Sequence, residues 1–250
     1  MTRILLSGCC GKMGRNVVSV VNARKDCEIV AGIDIIDDST LGFPVFQNYS
    51  EVNVVADVII DFSNPALLSD MLDFAVKTNT AVVLATTGLS DEQIKEVEEA
   101  SNTIAVFFSY NMSLGVSLLC ELSKTAAKIL GTDFDVEIVE AHHNQKIDAP
   151  SGTAIMLGNA VKEMMPDAYF EYDRHSKREK RHTNEIGIHS VRGGTIVGEH
   201  EVIFAGNDEI VKLSHSARSK AIFSQGAVNA AVFLSDKESG IYNMSDLVKE

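Results

Sequence analysis

Three scarcities in this sequence exclude whole classes of protein. Only four of the 250 residues are cysteines, and they include one adjacent pair, Cys9 and Cys10, but no Cys-x-x-Cys spacing. Neither a disulfide framework nor a zinc site is therefore expected. No apolar run approaches the roughly 18 residues of a membrane helix, and the apolar stretch at the start is too short for a secretory signal. These features predict a cytoplasmic protein with no membrane partner.

Positive charge is the third scarcity. Twenty-two basic residues oppose 35 acidic ones, which leaves a net charge of −13. A chain of this charge repels a phosphate backbone, so no nucleic acid is expected as a partner. An anionic ligand must instead be captured by a local group of donors. Core-forming residues are present in ordinary amounts, at 45% of the chain, and the length allows one large domain or two modest ones.

The first hundred residues alternate short β-rich runs with segments of helical periodicity. Strands are predicted at 3–7, 28–33, 57–62, 81–85 and 104–108, and helices at 12–23, 65–77 and 91–100. Nearly continuous apolar strands that alternate with helices are typical of a parallel sheet covered on both faces. The sequence therefore predicts an α/β protein with a Rossmann-type, doubly wound parallel sheet.

The pattern changes in the second half of the chain. Helices are predicted at 113–130, 152–165 and 221–234, and strands at 135–141, 186–192, 195–204 and 209–215. The last three strands alternate with a period of two, which favours a second α+β domain built on an open mixed sheet. One face of such a sheet needs a partner, so self-association is expected.

A glycine-rich loop, Gly8-Cys9-Cys10-Gly11-Lys12-Met13-Gly14, lies between the first predicted strand and the first predicted helix. Glycines at such a turn let backbone N–H groups approach a pyrophosphate at the helix N-terminus. Asp34 follows the second strand, 20 residues after Gly14, the offset at which an acidic residue meets the adenosine ribose. The loop and Asp34 therefore predict a dinucleotide site, and the alternative is a strand–helix turn that binds nothing.

The residues around Asp34 bear on the choice of cofactor. The stretch Asp34-Ile35-Ile36-Asp37-Asp38 contains three acids and no base. A 2′-phosphate placed there would meet like charge, so NADH is preferred. Lys12 or Arg15 could still turn toward a 2′-phosphate, which keeps NADPH open as a second cofactor.

Two later strand ends carry polar groups suited to a ribose and a carboxamide. In an open parallel sheet, ligands bind beyond the carboxyl ends of the strands. Ordinary turn chemistry is the alternative, since threonine, serine and asparagine are common in turns. The candidate cofactor residues are Ala85, Thr86 and Thr87 after the fourth strand, and Ser109, Tyr110, Asn111 and Met112 after the fifth.

The segment from Glu140 to Ala154 has the highest density of side chains suited to catalysis or ligand binding. Lys146 and the predicted helix start Ser151-Gly152-Thr153 offer a mobile cation, hydroxyls and free N–H groups, which together suit a substrate with two carboxylates. Histidine is the residue type best suited to exchange protons near neutral pH, so a proton donor is the natural role for one of His142 and His143. Adjacent histidines rarely ligate one metal ion, and no metal is predicted here. The alternative is a solvated surface segment.

A wider set of motifs resembles the dihydrodipicolinate reductase family nearly from end to end. Its histidine–lysine segment is highly specific to that family, whereas its glycine loop is not. The motifs are Gly8-x-x-Gly11-x-Met13-Gly14, Asp61-Phe62-Ser63-x-Pro65, Thr86-Thr87-Gly88, Asn111-x-Ser113-x-Gly115-Val116 and His142-His143-x-x-Lys146-x-Asp148-Ala149-Pro150-Ser151-Gly152-Thr153-Ala154.

The resemblance implies a reaction and a set of roles. The reaction is NAD(P)H-dependent reduction of 4-hydroxy-tetrahydrodipicolinate to tetrahydrodipicolinate, in the diaminopimelate route to lysine. His142 matches the family's general acid/base, Lys146 its proton donor and carboxylate contact, and His143 with Gly152-Thr153 its substrate-binding positions. The glycine loop, Asp34 and the two strand ends match its cofactor positions.

The resemblance also implies an assembly and a division into domains. The family is a homotetramer, formed by pairing the open sheets of the second domain. Its C-terminal helix returns to the first domain, so residues 1–113 plus 222–250 are expected to form the dinucleotide-binding domain. Residues 114–221 are then the substrate-binding and oligomerisation domain.

The sequence departs from the family pattern at three cofactor positions. Ala85 replaces a glycine, and Ile35 replaces the arginine of members that use NADPH well. Met112 replaces an aromatic residue and is expected to cover a nicotinamide face. The basic segment 174–182 is expected to be a mobile loop, or alternatively to attract a dianionic substrate.

Two rival functions share the first half of this pattern. Another nicotinamide oxidoreductase, such as an amino-acid dehydrogenase, would explain the glycine loop but not the segment from His142 to Thr153. A non-catalytic, NAD-sensing oligomer would tolerate substitutions in that segment.

Overall fold

The computed structural model describes residues 1–249. It divides the chain into two compact units, residues 1–113 with 221–249 and residues 114–220. Within the described residues, no helix combines the length and the apolar character needed to cross a membrane. Each unit contains one sheet with an apolar core of its own.

Strands and helices follow the predicted order. In chain order the strands are β1 (Thr2–Ser7), β2 (Cys27–Ile33), β3 (Val45–Phe46), β4 (Val58–Asp61), β5 (Ala81–Leu84), β6 (Ala105–Phe108), β7 (Asp135–His142), β8 (Tyr169–Glu171), β9 (Glu185–Arg192), β10 (Gly198–Ala205), β11 (Ile210–Ala217) and β12 (Gly240–Tyr242). The helices are α1 (Lys12–Asn22), α2 (Leu68–Thr78), α3 (Asp91–Ala100), α4 (Leu114–Leu130), α5 (Gly152–Lys162), α6 (Ala221–Leu234) and α7 (Met244–Lys249).

The first unit contains a seven-stranded, all-parallel sheet in the order β12-β6-β5-β4-β1-β2-β3. Its strands are apolar on both faces because helices cover both. Leu6 of β1 packs in the cluster that includes α1 and α6, and Leu5 packs in the cluster that includes α2 and α3. The predicted Rossmann-type doubly wound sheet is confirmed.

The strand order locates the ligand-binding edge of this sheet. After β1 the chain builds β2 and β3 on one side, and then crosses to build β4 on the other side of β1. The order therefore reverses between β1 and β4, and open parallel sheets bind ligands at such a point. The residues that follow these two strands are Gly8 and Phe62.

The second unit contains a five-stranded sheet in the order β11-β10-β7-β9-β8. Strand β10 runs antiparallel to β7 and β11, whereas β7, β9 and β8 are mutually parallel, so the predicted mixed sheet is confirmed. Val136 and Ile138 of β7 are buried in the same core as Leu119 of α4 and Leu157 of α5. The alternate residues of β7 face the opposite side and are only partly buried.

The elements that the sequence did not predict are short and mostly lie at sheet edges. Strands β3 and β12 form the two edges of the first sheet, and β8 forms one edge of the second. Two or three residues are too few to show a period of two, so composition could not reveal them. The helix expected from Pro65 begins instead with a single 3₁₀ turn, capped by the Asn64 side chain, before α2 starts.

Candidate active site

The glycine loop forms a close-packed turn at the switch point of the first sheet. Gly8 has a φ of 76°, and a Cβ added there would lie 2.6 Å from the carbonyl oxygen of Phe62. A Cβ on Gly14 would collide with the carbonyl oxygen of Gly8. Helix α1 starts after Gly11 without a side-chain cap, so the N–H groups of its first turn face outward. The loop therefore has the shape and donors that a pyrophosphate requires.

Asp34 is held against this loop by backbone hydrogen bonds. The N–H of Cys10 donates to Oδ2 at 2.9 Å, and the N–H of Ile36 donates to Oδ1 at 3.2 Å. Arg15 donates to the Cys10 carbonyl at 3.1 Å and pairs with Asp38 at 2.7 Å. The structure thus engages Arg15 with a carboxylate and the loop backbone, while Lys12 is exposed.

At the next strand end, the Thr86 side chain is tied to a buried carboxylate. Asp61, the last residue of β4, accepts from the Thr86 hydroxyl at 2.6 Å and from the Ser63 hydroxyl. Ala85 is half-buried and Thr87 is exposed. The hydrogen bond from Thr86 to Asp61 therefore joins the ends of β4 and β5, the edge where the cofactor contacts were predicted.

The segment after β6 places its four candidate residues differently. Ser109 donates to the Asn111 carbonyl at 3.0 Å, and the Tyr110 side chain is 83% exposed. Met112 is 4% exposed and packs in the apolar core, where Gly226 of α6 closely approaches its carbonyl oxygen. The expectation that the Met112 thioether covers a nicotinamide ring does not agree with this packing, because core burial holds the side chain away from the surface.

The second unit is organised around one fully buried carboxylate, Glu140 of β7. Arg192 donates to its two oxygens at 2.8 and 2.7 Å, His142 Nδ1 lies 2.6 Å from Oε2, and the N–H of Ser151 donates to Oε1 at 3.0 Å. Burial raises the pKa of Glu140, but the hydrogen bonds from Arg192 and His142 outweigh it and hold the pKa at about 2. We call Glu140, Arg192, His142 and Ser151 the Glu140 hub.

The hub orients the His142 ring. Because an ionised carboxylate only accepts hydrogen bonds, Nδ1 carries a proton and Nε2 is the nitrogen that can exchange one. The side chain is 12% exposed. Gly198 gives it room, since a Cβ there would lie 3.1 Å from Nε2. His142 is therefore held in one tautomer with its second nitrogen in position for proton transfer.

Helix α5 is attached to the hub through its first residues. The Ser151 hydroxyl accepts from the N–H of Ala154 at 3.2 Å and lies 3.0 Å from Nε2 of His200. Burial, with a smaller contribution from His142, lowers the pKa of His200 to about 4, so this ring is neutral at physiological pH. Gly152 is exposed and Thr153 is half-buried in the first turn that Ser151 caps. These contacts fix the start of α5 beside His142.

Lys146 joins the same network from its outer side. Its Nζ lies 2.8 Å from Oδ1 of Asp148, whose side chain is 58% exposed, and Arg192 donates to the Asp148 carbonyl at 2.6 Å. His143 is half-buried, and its carbonyl accepts the N–H of Lys146 at 3.1 Å. The structure thus brings Lys146, His142 and Ser151 into one region, with Arg192 linking them.

Three residues of this region were given no role by the sequence: Glu140, Arg192 and His200. Arg192 and His200 lie 52 and 49 positions from the residues they contact, and no local motif joins them. All three are charged or polar residues in strands that also contain apolar core residues. A charged or polar side chain in such a strand indicates that it is buried with a hydrogen-bonding partner.

The basic segment 174–182 is extensively paired. Arg174 donates to the buried carboxylate of Glu185 at 2.9 Å, Arg181 pairs with Asp135 and Glu137, and Lys177 pairs with Glu171. The expectation of a mobile loop rested on a run of like charges, whereas in the structure three of these cations pair with carboxylates of the same unit.

A glycine-rich turn at the switch point of a Rossmann-type parallel sheet is typical of enzymes that use a nicotinamide dinucleotide. Two family models match the chain: "Dihydrodipicolinate reductase, N-terminus" over residues 2–112 and "Dihydrodipicolinate reductase, C-terminus" over residues 115–248. The chain belongs to the dihydrodipicolinate reductase family.

Individual relatives agree with the family models. The chain is 47% identical to the 4-hydroxy-tetrahydrodipicolinate reductase of Clostridium novyi, covering 100% of this chain and 99% of the relative. It is 50% identical to the enzyme of the same name from Caldanaerobacter subterraneus subsp. tengcongensis, with the same coverage. The solved structure of dipicolinate-bound dihydrodipicolinate reductase from Paenisporosarcina sp. TG-14 superposes with a TM-score of 0.80 at 27% identity, over 97% of each chain.

Proposed function

We propose that the protein reduces 4-hydroxy-tetrahydrodipicolinate to tetrahydrodipicolinate with a reduced nicotinamide cofactor, as a step of diaminopimelate and lysine biosynthesis. The reaction adds a hydride to the ring, releases the 4-hydroxyl group as water and consumes one proton. The observation that carries this assignment is the Glu140 hub, which holds His142 beside Lys146 and the start of α5. Relatives at 47% and 50% identity that bear the enzyme's name support it.

The cofactor is assigned to the glycine loop. Gly8 and Gly14 let the backbone turn tightly against the Phe62 carbonyl and against the loop itself, where a Cβ would collide. Within the cofactor segment from Gly8 to Met13, the N–H groups of Lys12 and Met13 in the first turn of α1 would hold the pyrophosphate, and Asp34 would accept from the adenosine ribose. Bound there, the reduced nicotinamide supplies the hydride. The remaining candidate contacts are Ala85, Thr86, Thr87, Ser109, Tyr110, Asn111 and Met112, the last through its backbone.

The substrate's two carboxylates are assigned to donors of the second unit. Lys146 is paired with a carboxylate that is itself 58% exposed, so a substrate carboxylate can replace Asp148 with little loss. The first turn of α5, which Ser151 caps, offers Gly152 and Thr153 to the other carboxylate. His143 completes the proposed substrate contacts.

The proton is assigned to Nε2 of His142. When this ring is an imidazolium, the ionised Glu140 stabilises its charge through Nδ1. Transfer of the Nε2 proton as negative charge develops on the substrate's ring nitrogen leaves a neutral ring with its remaining proton still held by Glu140. Lys146 lowers the energy of the same developing charge and can deliver a proton itself.

Oxidation of NADH in the presence of freshly generated 4-hydroxy-tetrahydrodipicolinate tests this assignment. We expect substrate-dependent loss of the NADH absorbance and formation of tetrahydrodipicolinate. An amino-acid dehydrogenase would show no turnover with this substrate but would oxidise an amino acid with NAD. A non-catalytic NAD sensor would bind NADH and turn over neither compound.

The preference for NADH is the finer part of the cofactor proposal. The acidic stretch from Asp34 to Asp38 supports it, as does the engagement of Arg15 with Asp38. Comparison of kcat/KM for NADH and NADPH measures the preference directly. In the variant Ile35→Arg, placed at a side chain that is 83% exposed, we expect kcat/KM for NADPH to rise by about fivefold, the value of one solvent-exposed ion pair.

We further propose that the protein is a homotetramer formed through the open face of the five-stranded sheet. Val191 and Ile210 on this face are 48% and 61% exposed, and Ile203 lies on the same face of β10, between β11 and β7. Light scattering should report four chains of 27.1 kDa for the native protein. The variant Ile203→Glu should dissociate, whereas an unchanged mass would contradict this interface.

The proposed compartment is the cytoplasm. The four thiols, of Cys9, Cys10, Cys27 and Cys120, are all free in the structure, and free thiols persist best in a reducing compartment. Immunodetection in fractionated cells would test this location.

A further inference from the structure

The glycine loop holds a donor cluster that the proposed reduction does not use. Cys9 Sγ and Cys10 Sγ lie 3.9 Å apart, and one carboxylate oxygen of Asp34 lies within 4.8 Å of both. The spacing of the cysteines predicted no zinc site. The third donor comes from the end of β2, 24 positions beyond Cys10, so a rule based on cysteine spacing could not find it.

The cluster has the dimensions of a tetrahedral thiolate site. Two thiolates that bind one zinc ion, at about 2.3 Å each and at the tetrahedral angle, lie about 3.8 Å apart. The observed separation of the two sulfur atoms is 3.9 Å. The Ile36 carbonyl oxygen, 3.2 Å from Cys10 Sγ, adds a further oxygen beside the cluster. Two sulfurs and a carboxylate favour thiophilic ions such as Zn²⁺ and Cd²⁺ over Mg²⁺ or Ca²⁺.

The residues around the two thiols fix the position of Cys9 and leave Cys10 accessible to an incoming metal ion. Cys9 is fully buried against Gly32 of β2, where any Cβ would collide with its sulfur, whereas Cys10 is only half-buried. Burial, with a contribution from Cys10, raises the pKa of the Cys9 thiol to about 12. Binding of a metal ion here would release the thiol protons to solvent.

We propose that Cys9, Cys10 and Asp34 bind one thiophilic divalent cation, and that this cation excludes the dinucleotide from the glycine loop. Cation binding withdraws the Asp34 carboxylate that the adenosine ribose would otherwise meet, and it fills the concave side of the loop beside Cys10. The exclusion rests on the proposed cofactor role of the loop, whereas cation binding depends only on the three donors.

Titration of the reduced, metal-free full chain with Cd²⁺ tests the cation site without cofactor or substrate. We expect one Cd²⁺ per chain, with the ultraviolet absorption of two cadmium–thiolate bonds. Cys10→Ser should halve that absorption and weaken binding by about tenfold or more. Cys120→Ser, which alters a buried thiol of α4 in the other unit, is the matched control and should change neither. No thiolate absorption in the native chain, or full absorption in Cys10→Ser, would overturn the site.

A second variant distinguishes the contribution of the Asp34 carboxylate to cation binding from that of the two thiols. Asp34→Asn should keep the absorption of two thiolates but need more Cd²⁺ to reach it, because the third donor loses its charge. Identical titrations of Asp34→Asn and the native chain would remove Asp34 from the site.

Fluorescence titration with NADH at several fixed concentrations of Cd²⁺ tests the exclusion. We expect the Kd for NADH to rise in proportion to Cd²⁺ in the native chain and in Cys120→Ser, and to stay constant in Cys10→Ser. Binding of Cd²⁺ through two thiolates with an unchanged Kd for NADH would overturn the exclusion. Failure of the metal-free chain to bind NADH would instead contradict the proposed function, while the absorption titration would still decide the cation site.

Discussion

The two proposed binding regions, the glycine loop and the Glu140 hub, use different chemical groups. The glycine loop of the first unit uses backbone N–H groups and three glycines within seven consecutive residues, with Asp34 and Arg15 as charged side chains that contact its backbone. The Glu140 hub uses the buried carboxylate of Glu140 and the His142 ring from β7, the Arg192 guanidinium from β9, and the backbone N–H of Ser151 before α5. Arg192 lies 52 positions from Glu140 along the chain. We therefore expect cofactor binding at the glycine loop to be weakened by one added methyl group. We expect the activity and stability that depend on the Glu140 hub to be lowered by the loss of one charge.

The largest effect is expected from His142→Gln. Loss of the group that exchanges a proton at Nε2 should lower kcat by about 10²- to 10⁴-fold, with a small change in KM. Steady-state assays of NADH oxidation measure both constants. His143→Gln is the neighbouring control, and its effect should fall mainly on KM because His143 contacts substrate without belonging to the hub. An unchanged kcat in His142→Gln would remove this residue from the mechanism.

The second-largest loss of activity is expected from Glu140→Gln, a variant that tests whether the charges of the hub depend on one another. Glu140→Gln leaves the Arg192 guanidinium without its counter-charge and removes the anion that stabilises an imidazolium at His142. We expect kcat to fall by about 10- to 10³-fold and the free energy of unfolding to fall by about 3 kcal/mol, as for a broken buried ion pair. Chemical denaturation gives the second quantity. Native stability in this variant would show that the hub is dispensable for folding.

A smaller effect is expected from adding one methyl group to the glycine loop. Gly14→Ala forces a Cβ against the Gly8 carbonyl, so the loop must open and its donors must move. We expect the Kd for NADH to rise by about 10- to 100-fold, the cost of a few kcal/mol of overpacking. Binding of dipicolinate should be unchanged if the regions are independent. Gly193→Ala, where a Cβ meets nothing within 4 Å, is the control.

The smallest effect concerns His200, the neutral partner of Ser151. Its pKa is about 4 in the folded protein and about 6.5 in an unfolded chain. Between these values only the unfolded chain binds the proton, so this residue makes the free energy of unfolding fall as the pH falls from 6.5 toward 4. The slope is at most about 1.4 kcal/mol per pH unit. His200→Gln should remove this slope, and denaturation series at several pH values would measure it. An unchanged slope would contradict the burial of a neutral ring.

Sequence periodicity predicted much of the fold because its main elements are long and strongly amphipathic or apolar. Helices α3 and α6 begin and end at the predicted residues. The two- and three-residue edge strands were missed because they are held by pairing with a neighbour rather than by their own composition. Met112 was expected at a ligand surface because nothing in the local sequence reveals its burial among the apolar core residues of the first unit.

The sequence alone determined the alternation of strands and helices, the position of the glycine loop and the segment from His142 to Thr153. Each depends on residues close together along the chain, where periodicity and turn chemistry act directly. Only the tertiary structure decided which carboxylate holds His142, which histidine contacts Ser151, and that Asp34 joins the two thiols. These contacts form because strand pairing brings together residues far apart in sequence, and burial then requires each charged or polar group to find a partner.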